Sequence, residues 1–505
     1  MDRLRDVFVG LLGSFTPPPP PLGLDVKKAE TFYVDLLRLK ITAPDWWEEL
    51  KHFDGLLAHE IKHASSDGLP YTHRNALRFE AATMQMLGVD AKTARWILNF
   101  VYDAVVDLRA SKEGLDMKAV CEEWLRRFPV TREAEGSSYH LLQILYKDFF
   151  KIRLKETEYE RWVRQRSEYR ELKQLTLELV REGESFSETR DTYKVARACQ
   201  LVYKLSKVVP PPQGEDAGFD RDDPQVQADA AEAGMEMGLS PGQLADLMGA
   251  KSWEELKEKL EEAAEHKARQ VLWKKIIGFR ELFRGSSLYE LKEPTPRKWK
   301  PWSRKIDPVS VAKSPDDPRK WLETAPQTVM TVETEGESGG FSKAILLVDH
   351  SGSTSDLYLD RPVLSWIKDT AYGLIAYAKE KELPVATVAF STYAKILARE
   401  SRNYVEHAKK IFMLQSYGDT NLYEAVNLSL KLKPEKALVA VITDGFVAPK
   451  DLKYLEEQTK ANKVIVAITN PLGKENVLRY GEKITVYEAK PDNAGRIVVE
   501  ELTKT

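Results

Sequence analysis

The sequence predicts a multidomain protein in which a mainly α-helical N-terminal region precedes a C-terminal α/β domain of the Rossmann-like, doubly wound kind. The chain has 505 residues, which is too long for one compact core at about 100 to 200 residues per domain. Apolar residues recur at helical spacing from Val26 to about Tyr203. After Ser342, short apolar runs alternate with helical stretches, a pattern typical of parallel strands that are covered on both faces.

The N-terminal region is expected to be helical almost throughout. Val7 to Phe15 predicts a short amphipathic helix, and not a signal peptide, because prolines follow it instead of a small-residue cleavage site. Phe32, Leu36 and Leu37 are spaced like one face of a helix, and strand-like alternation is nearly absent from this region.

Changes in composition set the predicted domain boundaries. Consecutive prolines followed by an acidic stretch indicate a linker, and a stretch rich in proline and tryptophan indicates an extended arm. The predicted units are an N-terminal helix with a Pro-rich segment (1–25), a helical domain (26–207), a Pro/acidic linker (208–224), a helical segment (225–293), a Pro/Trp-rich arm (294–341) and the α/β domain (342–505).

Charge and composition exclude several classes of protein. The 75 Lys and Arg residues nearly balance the 78 Asp and Glu residues, so the chain lacks the broad basic field of a nucleic-acid-binding protein. No apolar run approaches the roughly 18 residues of a membrane-spanning helix. The two cysteines, Cys121 and Cys199, are too few for a disulfide framework, and we expect a cytoplasmic location.

Five oxygen-bearing residues mark a predicted metal site in the α/β domain. Asp349, Ser351 and Ser353 follow the first strand, Asp444 follows a later one, and Thr420 precedes a helix. In parallel sheets, ligands bind beyond the carboxyl ends of the strands, which is where these residues are expected to meet. Carboxylate and hydroxyl oxygens favour Mg²⁺, with Mn²⁺ or Ca²⁺ as substitutes. We expect Asp349 and Ser351 to lie in surface loops.

The alternative is that these aspartates only cap helices and strands, as acidic loop residues often do. For one residue alone the alternative is as good as the metal site. Five such residues in this order, each at a strand end or a helix entry, favour the metal site.

This pattern resembles the metal-ion-dependent adhesion site (MIDAS) of von Willebrand factor A (VWA) domains, whose Asp-x-Ser-x-Ser, Thr and Asp motif is matched by the five residues. His350 occupies the family's variable position, and Asp419 stands where a glycine is common. The resemblance covers about a third of the chain. It implies a divalent cation held by the serines and the threonine, with the aspartates acting largely through water, and a protein partner whose acidic side chain completes the coordination.

A helical region followed by such a domain also resembles prokaryotic CoxE-like proteins that act with MoxR-type AAA+ ATPases. The resemblance implies an intracellular adaptor whose partner is such an ATPase. The chain has no phosphate-binding loop of its own, so we do not expect it to hydrolyse ATP. An RNA-binding scaffold with a VWA-like domain is disfavoured by the near-neutral charge.

A second motif lies in the predicted helical domain, where His59, Glu60 and His63 form a His-Glu-x-x-His pattern. Residues four apart share one face of a helix, so the two histidines could hold Zn²⁺ while Glu60 activates a water molecule. A third ligand is required. The candidates are three residues spaced four apart on a later helix and two rivals elsewhere: Asn99, Asp103 and Asp107, then Glu80 and His73.

The second motif resembles that of the zincin metallopeptidases, including metallopeptidase-like domains that precede VWA-like domains in some prokaryotic proteins. The resemblance implies that His59 and His63 are zinc ligands, Glu60 is the general base and Asp103 is the third ligand. The competing hypothesis to the adaptor is therefore a zinc metallopeptidase whose C-terminal domain recruits a substrate or a partner. The alternative is a surface helix whose histidines lie among charged neighbours such as Lys62.

Overall fold

The structure is a computed structural model of the chain. It describes residues 2–15, 18–29, 32–127, 129–131, 134–180, 188–207, 220–284, 297–298, 326–327, 341–358, 361–457, 460, 462–480 and 484–489. Most of the predicted linker before residue 220 and most of the predicted Pro/Trp-rich arm lie outside the described residues.

The N-terminal region begins with a helix and a small sheet. The helix is α1 (Asp2–Ser14), and the strands are β1 (Gly23–Lys27), β2 (Tyr33–Asp35) and β3 (Lys40–Pro44) in the order β1-β3-β2. The helix predicted at Val7 to Phe15 is present as α1, whereas the prediction that the chain is helical from Val26 onward is wrong for the strands up to Pro44. Val34 of β2 and the residues that flank the strand, Phe32 and Leu36, are all buried, and their spacing of two residues is the period of extended chain. Phe32 and Leu36 are four residues apart, which fits both the two-residue period of a strand and the 3.6-residue period of a helix.

Helices make up the rest of the first half of the described chain. Their bounds are α2 (Phe53–His63), α3 (His73–Leu87), α4 (Ala91–Lys112), α5 (Met117–Arg127), α6 (Ser138–Phe149), α7 (Glu158–Gln165), α8 (Ser167–Leu179) and α9 (Glu188–Leu205). The longest of them, α4, starts at Asp90, whose side chain accepts a hydrogen bond from the Thr93 amide. Its Val101 and Val105 lie in a buried core together with Val202 of α9.

Three further helices connect this region to the α/β domain: α10 (Pro224–Glu236), α11 (Pro241–Leu247) and α12 (Trp253–Arg284). Helix α12 contributes to two cores. Leu256 and Leu260 pack in a core with residues of α3, α4 and α10, whereas Leu272 and Ile276 pack in the core of the α/β domain. This helix therefore ties the two parts of the protein together.

The α/β domain is built on a six-stranded sheet. Its strands are β6 (Ala344–Asp349), β9 (Val385–Phe390), β10 (Ala394–Ser401), β11 (Leu438–Thr443), β12 (Lys463–Ile468) and β13 (Thr485–Glu488), and they lie side by side in the order β10-β9-β6-β11-β12-β13. All neighbours are parallel except β10, which runs antiparallel to β9 at one edge. The remaining strands form two short antiparallel pairs: β4 (Arg297–Lys298) with β5 (Pro326–Gln327), and β7 (Leu357–Tyr358) with β8 (Arg361–Pro362).

Helices cover both faces of the six-stranded sheet: α13 (Val363–Glu380), α14 (Tyr404–Phe412), α15 (Leu422–Lys431), α16 (Pro449–Glu457) and α17 (Pro471–Tyr480). In β6, Leu346 and Val348 belong to the core on one face, while Ile345 and Leu347 belong to the core on the other. Burial on both faces explains why the sequence shows a continuous apolar run here. The predicted combination of a mostly helical region and an α/β domain is confirmed.

Two smaller expectations also concern the described residues. Within them, no helix is both long enough and apolar enough to cross a bilayer. Cys121 and Cys199 are buried and form no disulfide.

The fold also predicts a dependence of stability on pH. His407 of α14 is buried, and its two ring nitrogens contact the hydroxyls of Thr387 and Ser401 at 2.8 and 3.1 Å. Burial lowers the pKa of His407 to about 4 from its ordinary value of 6.5. Because the folded state resists this protonation, stability present above pH 6.5 should be lost as the pH falls toward 4, by at most about 3 kcal/mol.

The measurement is urea denaturation of the wild type and of His407→Gln between pH 4 and 7. The glutamine side chain can hydrogen-bond to both hydroxyls but does not titrate, so the variant should lose less stability with acid than the wild type. The control is His52→Gln, which changes a partly exposed histidine. Equal acid sensitivity in His407→Gln and the wild type would contradict the prediction.

Candidate metal centres

The first candidate centre lies between two packed helices of the N-terminal region. Helix α2 carries His59, Glu60 and His63, and helix α4 carries Asp103 and Asp107 one turn apart. Residues four apart on each helix share a face, so both sets of side chains point into the same space between the helices.

Three ligand atoms meet at this centre. The Nε2 atoms of His59 and His63 are 3.0 Å apart, and Asp103 Oδ1 lies 3.5 Å from the first and 3.6 Å from the second. Around a tetrahedral Zn²⁺ with bonds of about 2.1 Å, neighbouring ligand atoms are about 3.4 Å apart. The triangle thus has the size that zinc requires. The Asp103 side chain is 36% exposed, so the centre opens to solvent on that side.

The hydrogen bonds of the two imidazoles determine which nitrogens are free. The Leu69 carbonyl can only accept, so His63 Nδ1, at 2.5 Å, must carry the hydrogen of that bond. His59 Nδ1 likewise donates to Asp107 Oδ1 at 2.6 Å. In the neutral imidazoles, both Nε2 atoms then direct lone pairs at each other and at the Asp103 carboxylate. Such a set of acceptors needs a cation, which is either a proton or a metal ion.

Asp107 is not one of the three converging ligands, but it holds the outer ring nitrogen of His59, Nδ1, through a hydrogen bond. Its second carboxylate oxygen accepts a hydrogen bond of 2.5 Å from the Tyr146 hydroxyl of α6. A carboxylate that holds the outer nitrogen of a ligating histidine is the usual support of a zinc site. The other rivals for third ligand are engaged elsewhere: Glu80 pairs with Arg221, and His73 contacts Asp229.

The pKa values of the side chains at this centre are shifted by burial and by the charges of their neighbours. The pKa of His59 is well above its ordinary value because the carboxylates of Asp107 and Asp103 favour the charged imidazole more strongly than burial opposes it. The same histidines hold the pKa of the Asp103 carboxyl below its ordinary range against the opposing effect of burial. Burial raises the pKa of Glu60, although His59 and His63 act in the opposite direction and the Val34 amide hydrogen-bonds to its carboxylate.

A buried charge cluster next to the motif was missed from the sequence. Lys62 is fully buried, and its ammonium group contacts Asp67 at 2.9 Å and Glu113 at 2.6 Å. Arg109 of α4 also contacts Asp67, at 2.5 Å. These ion pairs tie α2 to the segment that supplies the Leu69 carbonyl and to the end of α4. The alternative of a surface helix is therefore wrong, because Lys62 faces the interior.

The second candidate centre lies at the carboxyl end of the α/β sheet. Asp349 is the last residue of β6, and Asp444 follows the neighbouring parallel strand β11. The chain leaves β6 toward β9 on one side and returns to β11 on the other, so the centre lies at a topological switch point. The expectation that Asp349 and Ser351 lie in surface loops is wrong. They are 0% and 1% exposed, because strand pairing and the following turn bury them.

Hydrogen bonds hold the two carboxylates differently. Asp349 accepts from the Ser351 amide at 2.9 Å and from the Thr443 hydroxyl at 2.5 Å, which occupies both of its oxygens. Asp444 Oδ1 accepts from the Phe446 amide at 3.0 Å, whereas its buried Oδ2 has no hydrogen-bond partner among the described residues. The hydroxyl oxygens of Ser351 and Ser353 are 3.2 Å apart.

The loop that carries Thr420 packs against the loop that carries the serines. The Gly352 amide donates to the Gly418 carbonyl at 2.7 Å, and the Asn421 amide donates to the Ser391 carbonyl at 2.8 Å. Gly418 has a φ of 72°, and a Cβ there would lie 2.2 Å from a side-chain atom of Thr392, so only glycine fits. Thr420 is thus held between two contacts that anchor its loop to the end of the sheet.

Two buried carboxylates that lie close together need a positive charge. Burial and the nearby charge of Asp444 raise the pKa of Asp349 to about 7. A divalent cation would neutralise both carboxylates and would satisfy the orphaned oxygen of Asp444, and the serine hydroxyls offer two further hard donors. The residues present therefore fit a magnesium-type ion.

Comparisons with known proteins gave matches only among solved structures. No family model and no curated protein matches the sequence. The chain is similar to the conserved hypothetical protein BatB from Bacteroides thetaiotaomicron, with 16% identity and a TM-score of 0.27 over 33% of this chain and 100% of that one.

Two further solved structures are similar at the same level. One is an aerotolerance-related membrane protein from Bacteroides fragilis NCTC 9343, with 14% identity and a TM-score of 0.27 over 33% of this chain and 100% of that one. The other is the VWA domain of SpRpn10, with 12% identity and a TM-score of 0.28 over 32% of this chain and 95% of that one. The described residues thus form a helical region and a doubly wound α/β domain, and each of the two contains one candidate metal centre.

The first centre predicts a measurable role for Asp107. Asp107→Asn keeps the shape of the side chain but removes the charge that orients His59, so Zn²⁺ should bind about 10 to 100 times more weakly. The measurement is competition for Zn²⁺ with a chromogenic chelator. The control is Asp54→Asn on the exposed side of α2, which should leave the affinity unchanged. Equal zinc affinity of Asp107→Asn and the wild type would refute this role.

Proposed function

We propose that the N-terminal region of this protein is a zinc metallopeptidase and that its C-terminal domain recruits a protein. The proposal is supported most strongly by one observation: His59 Nε2, His63 Nε2 and Asp103 Oδ1 lie 3.0 to 3.6 Å from one another. Three protein ligands with an open side are the arrangement of catalytic zinc, whereas structural zinc sites are closed by a fourth ligand.

In this proposal each side chain has a stated role. His59, His63 and Asp103 hold the ion, which when bound supplies a Lewis acid that polarises a peptide carbonyl. Glu60 is the general base, and it takes a proton from the attacking water and passes it to the leaving amine. Its raised pKa suits that exchange, because a catalytic base works best when its pKa is near the working pH. Asp107 keeps His59 in the tautomer whose Nε2 is free.

A second candidate function belongs to the C-terminal centre. We propose that Asp349, Ser351, Ser353, Thr420 and Asp444 form a MIDAS-type site for Mg²⁺, or for Mn²⁺ or Ca²⁺, which captures an acidic side chain of a partner protein. The orphaned Oδ2 of Asp444 supports this, since a buried carboxylate oxygen without a partner calls for a cation. Neutral hydroxyl ligands leave the ion short of negative charge, so it retains affinity for an external carboxylate.

The partner that we propose for this adaptor function is a MoxR-type AAA+ ATPase in the cytoplasm. The proposal draws on a resemblance: a helical region that precedes such an α/β domain is similar to the prokaryotic CoxE-like proteins that act with these ATPases. A reducing compartment suits the two buried thiols, Cys121 and Cys199. If the first centre holds no zinc, the adaptor function stands alone.

The peptidase proposal predicts that zinc binding and hydrolysis can be separated. Glu60→Gln should keep stoichiometric zinc but lose at least about a hundredfold in hydrolysis, because it removes the proton acceptor and no ligand. His59→Ala should lose both the zinc and the activity. The measurements are elemental analysis and cleavage of a quenched fluorescent peptide library, with Asp54→Asn as the control. Purified wild-type protein that takes up no zinc would rule out the peptidase.

The adaptor proposal predicts stabilisation by magnesium. Mg²⁺ at about 100 times its dissociation constant should raise the free energy of unfolding by about 2.7 kcal/mol, and Ser351→Ala should reduce this gain. The matched control is Ser355→Ala, because the Ser355 hydroxyl donates to the Gly352 carbonyl at 2.7 Å. Capture of a MoxR-type ATPase should also require Mg²⁺. Capture that is unchanged in chelator would contradict the adaptor function.

A further inference from the structure

Four exposed aromatic side chains lie near the C-terminal centre in the chain. They are Tyr393, Tyr417, Tyr423 and Phe446, with exposures of 72, 49, 48 and 46%, and we call them the aromatic rim. Among the described residues from 341 to 489, no other aromatic side chain belongs to the large hydrophobic residues that are exposed. Each member of the rim lies on a segment that carries a proposed ligand or on one that contacts such a segment.

Two members belong to loops that pack against other segments of the centre: Tyr393 lies beside the loop that carries Thr420, and Tyr417 lies against the serine-bearing loop. Tyr393 follows Thr392, whose hydroxyl accepts a hydrogen bond of 2.8 Å from the Asp419 amide. The amide of Tyr417 donates to the His350 carbonyl at 2.9 Å, and the Tyr417 ring packs edge to face on the His350 ring with centroids 4.7 Å apart. Tyr417 is thus held directly against the Asp349-to-Ser353 segment.

The other two members flank Thr420 and Asp444. Tyr423 lies in the first turn of α15, three residues after Thr420, and its ring packs on that of Tyr454 with centroids 4.9 Å apart. Phe446 is two residues after Asp444, and its amide holds one oxygen of that carboxylate at 3.0 Å. All four members of the rim therefore lie on or beside the segments that carry the proposed cation ligands.

Such a concentration of exposed rings favours a binding surface. Exposed apolar side chains scattered singly are normal, whereas a cluster rimmed by polar groups marks an interaction site. Tyrosine and phenylalanine are enriched at protein interfaces, where they bury a large area at a small cost in conformational entropy. The packing of Tyr417 on His350 and of Tyr423 on Tyr454 further limits the motion of two rings.

We propose that the aromatic rim selects the residues next to the partner's carboxylate, so that the C-terminal centre binds an Asp or Glu flanked by large apolar side chains on a protein partner. This inference rests on the proposed cation-mediated function of the centre. The cation takes the carboxylate, and the rings cover the neighbouring apolar side chains. Asp419 is exposed in the same loop as Tyr417, so a further acidic residue beside the first would meet a like charge. The surface thus disfavours polyacidic segments.

The test uses immobilised synthetic peptides and the full chain. Each peptide has a central Asp or Glu that is flanked on both sides by Leu and Phe, by Ser, or by Glu, and each is probed in Mg²⁺ and in EDTA. With Mg²⁺, the apolar flanks should strengthen retention about tenfold over serine flanks, which corresponds to about 1.4 kcal/mol. Glutamate flanks should weaken retention relative to serine.

Substitutions in the rim should remove this preference. In Tyr393→Ser with Phe446→Ser, the advantage of apolar flanks should fall below about threefold, whereas Tyr393→Phe should keep it. The matched control is Tyr193→Ser, because Tyr193 is a tyrosine of α9 with 65% exposure that lies outside the α/β domain. Stabilisation of the double variant by Mg²⁺ verifies that its centre is folded.

The outcomes separate the inference from the function on which it rests. Retention that requires Mg²⁺ but is indifferent to the flanking residues overturns the selecting role of the rim and leaves the cation-mediated function intact. Retention that is the same in EDTA, or absent from every peptide, overturns both. An apolar preference that survives in the double variant assigns the selection to other residues and overturns the role of the rim.

Discussion

The two candidate centres share one physical constraint: each gathers hydrogen-bond acceptors without enough hydrogen-bond donors among the described residues to satisfy them. In the first, two imidazole nitrogens and the Asp103 carboxylate face one another at 3.0 to 3.6 Å. In the second, Asp349 and Asp444 are both 0% exposed, and one carboxylate oxygen has no partner among the described residues. Buried groups of this kind destabilise a fold unless a positive charge joins them. This need for a positive charge favours a cation site at each centre.

The two centres meet this constraint with different structural means. At the first, the ligands lie on helices, and the outer contacts of Asp107 and the Leu69 carbonyl set the direction of each imidazole. Nitrogen ligands whose outer nitrogens are held by a carboxylate and a carbonyl suit zinc. At the second, the donors are oxygens held by strand ends and by amides that point at the carboxylates, which suits a harder ion. The two centres should therefore prefer different ions, because one offers nitrogen atoms together with a carboxylate and the other offers only oxygen atoms.

The spacing of residues along the sequence was enough to predict features that lie within a single helix or a single strand. The four-residue interval of His59 and His63, and the stripe that contains Asp103, depend only on helical geometry. The continuous apolar runs that became β6, β9 and β11 needed only the rule that a doubly covered strand is apolar throughout.

What the sequence did not predict depends on distant partners or on ambiguous periods. Lys62 appeared to be a surface residue, because its acidic partners Asp67 and Glu113 come from other segments. The edge strand β10 was missed, because exposed charged residues such as Lys395 and Glu400 interrupt its apolar pattern. Strand β2 was missed because Phe32 and Leu36 fit the period of a helix as well as that of a strand.

Packing across the predicted boundary at residue 342 shows how closely the helical and α/β parts depend on each other. Leu272 and Ile276 of α12 belong to the α/β core, and Phe412 at the end of α14 belongs to the core of the helical part. The Phe412 carbonyl accepts a hydrogen bond of 2.8 Å from the Lys368 ammonium group. Burial lowers the pKa of Lys368 to about 8. The segment that leads to Thr420 thus begins in the helical core. Because apolar side chains from each part complete the core of the other, neither part could be excised at that boundary without exposing them to water.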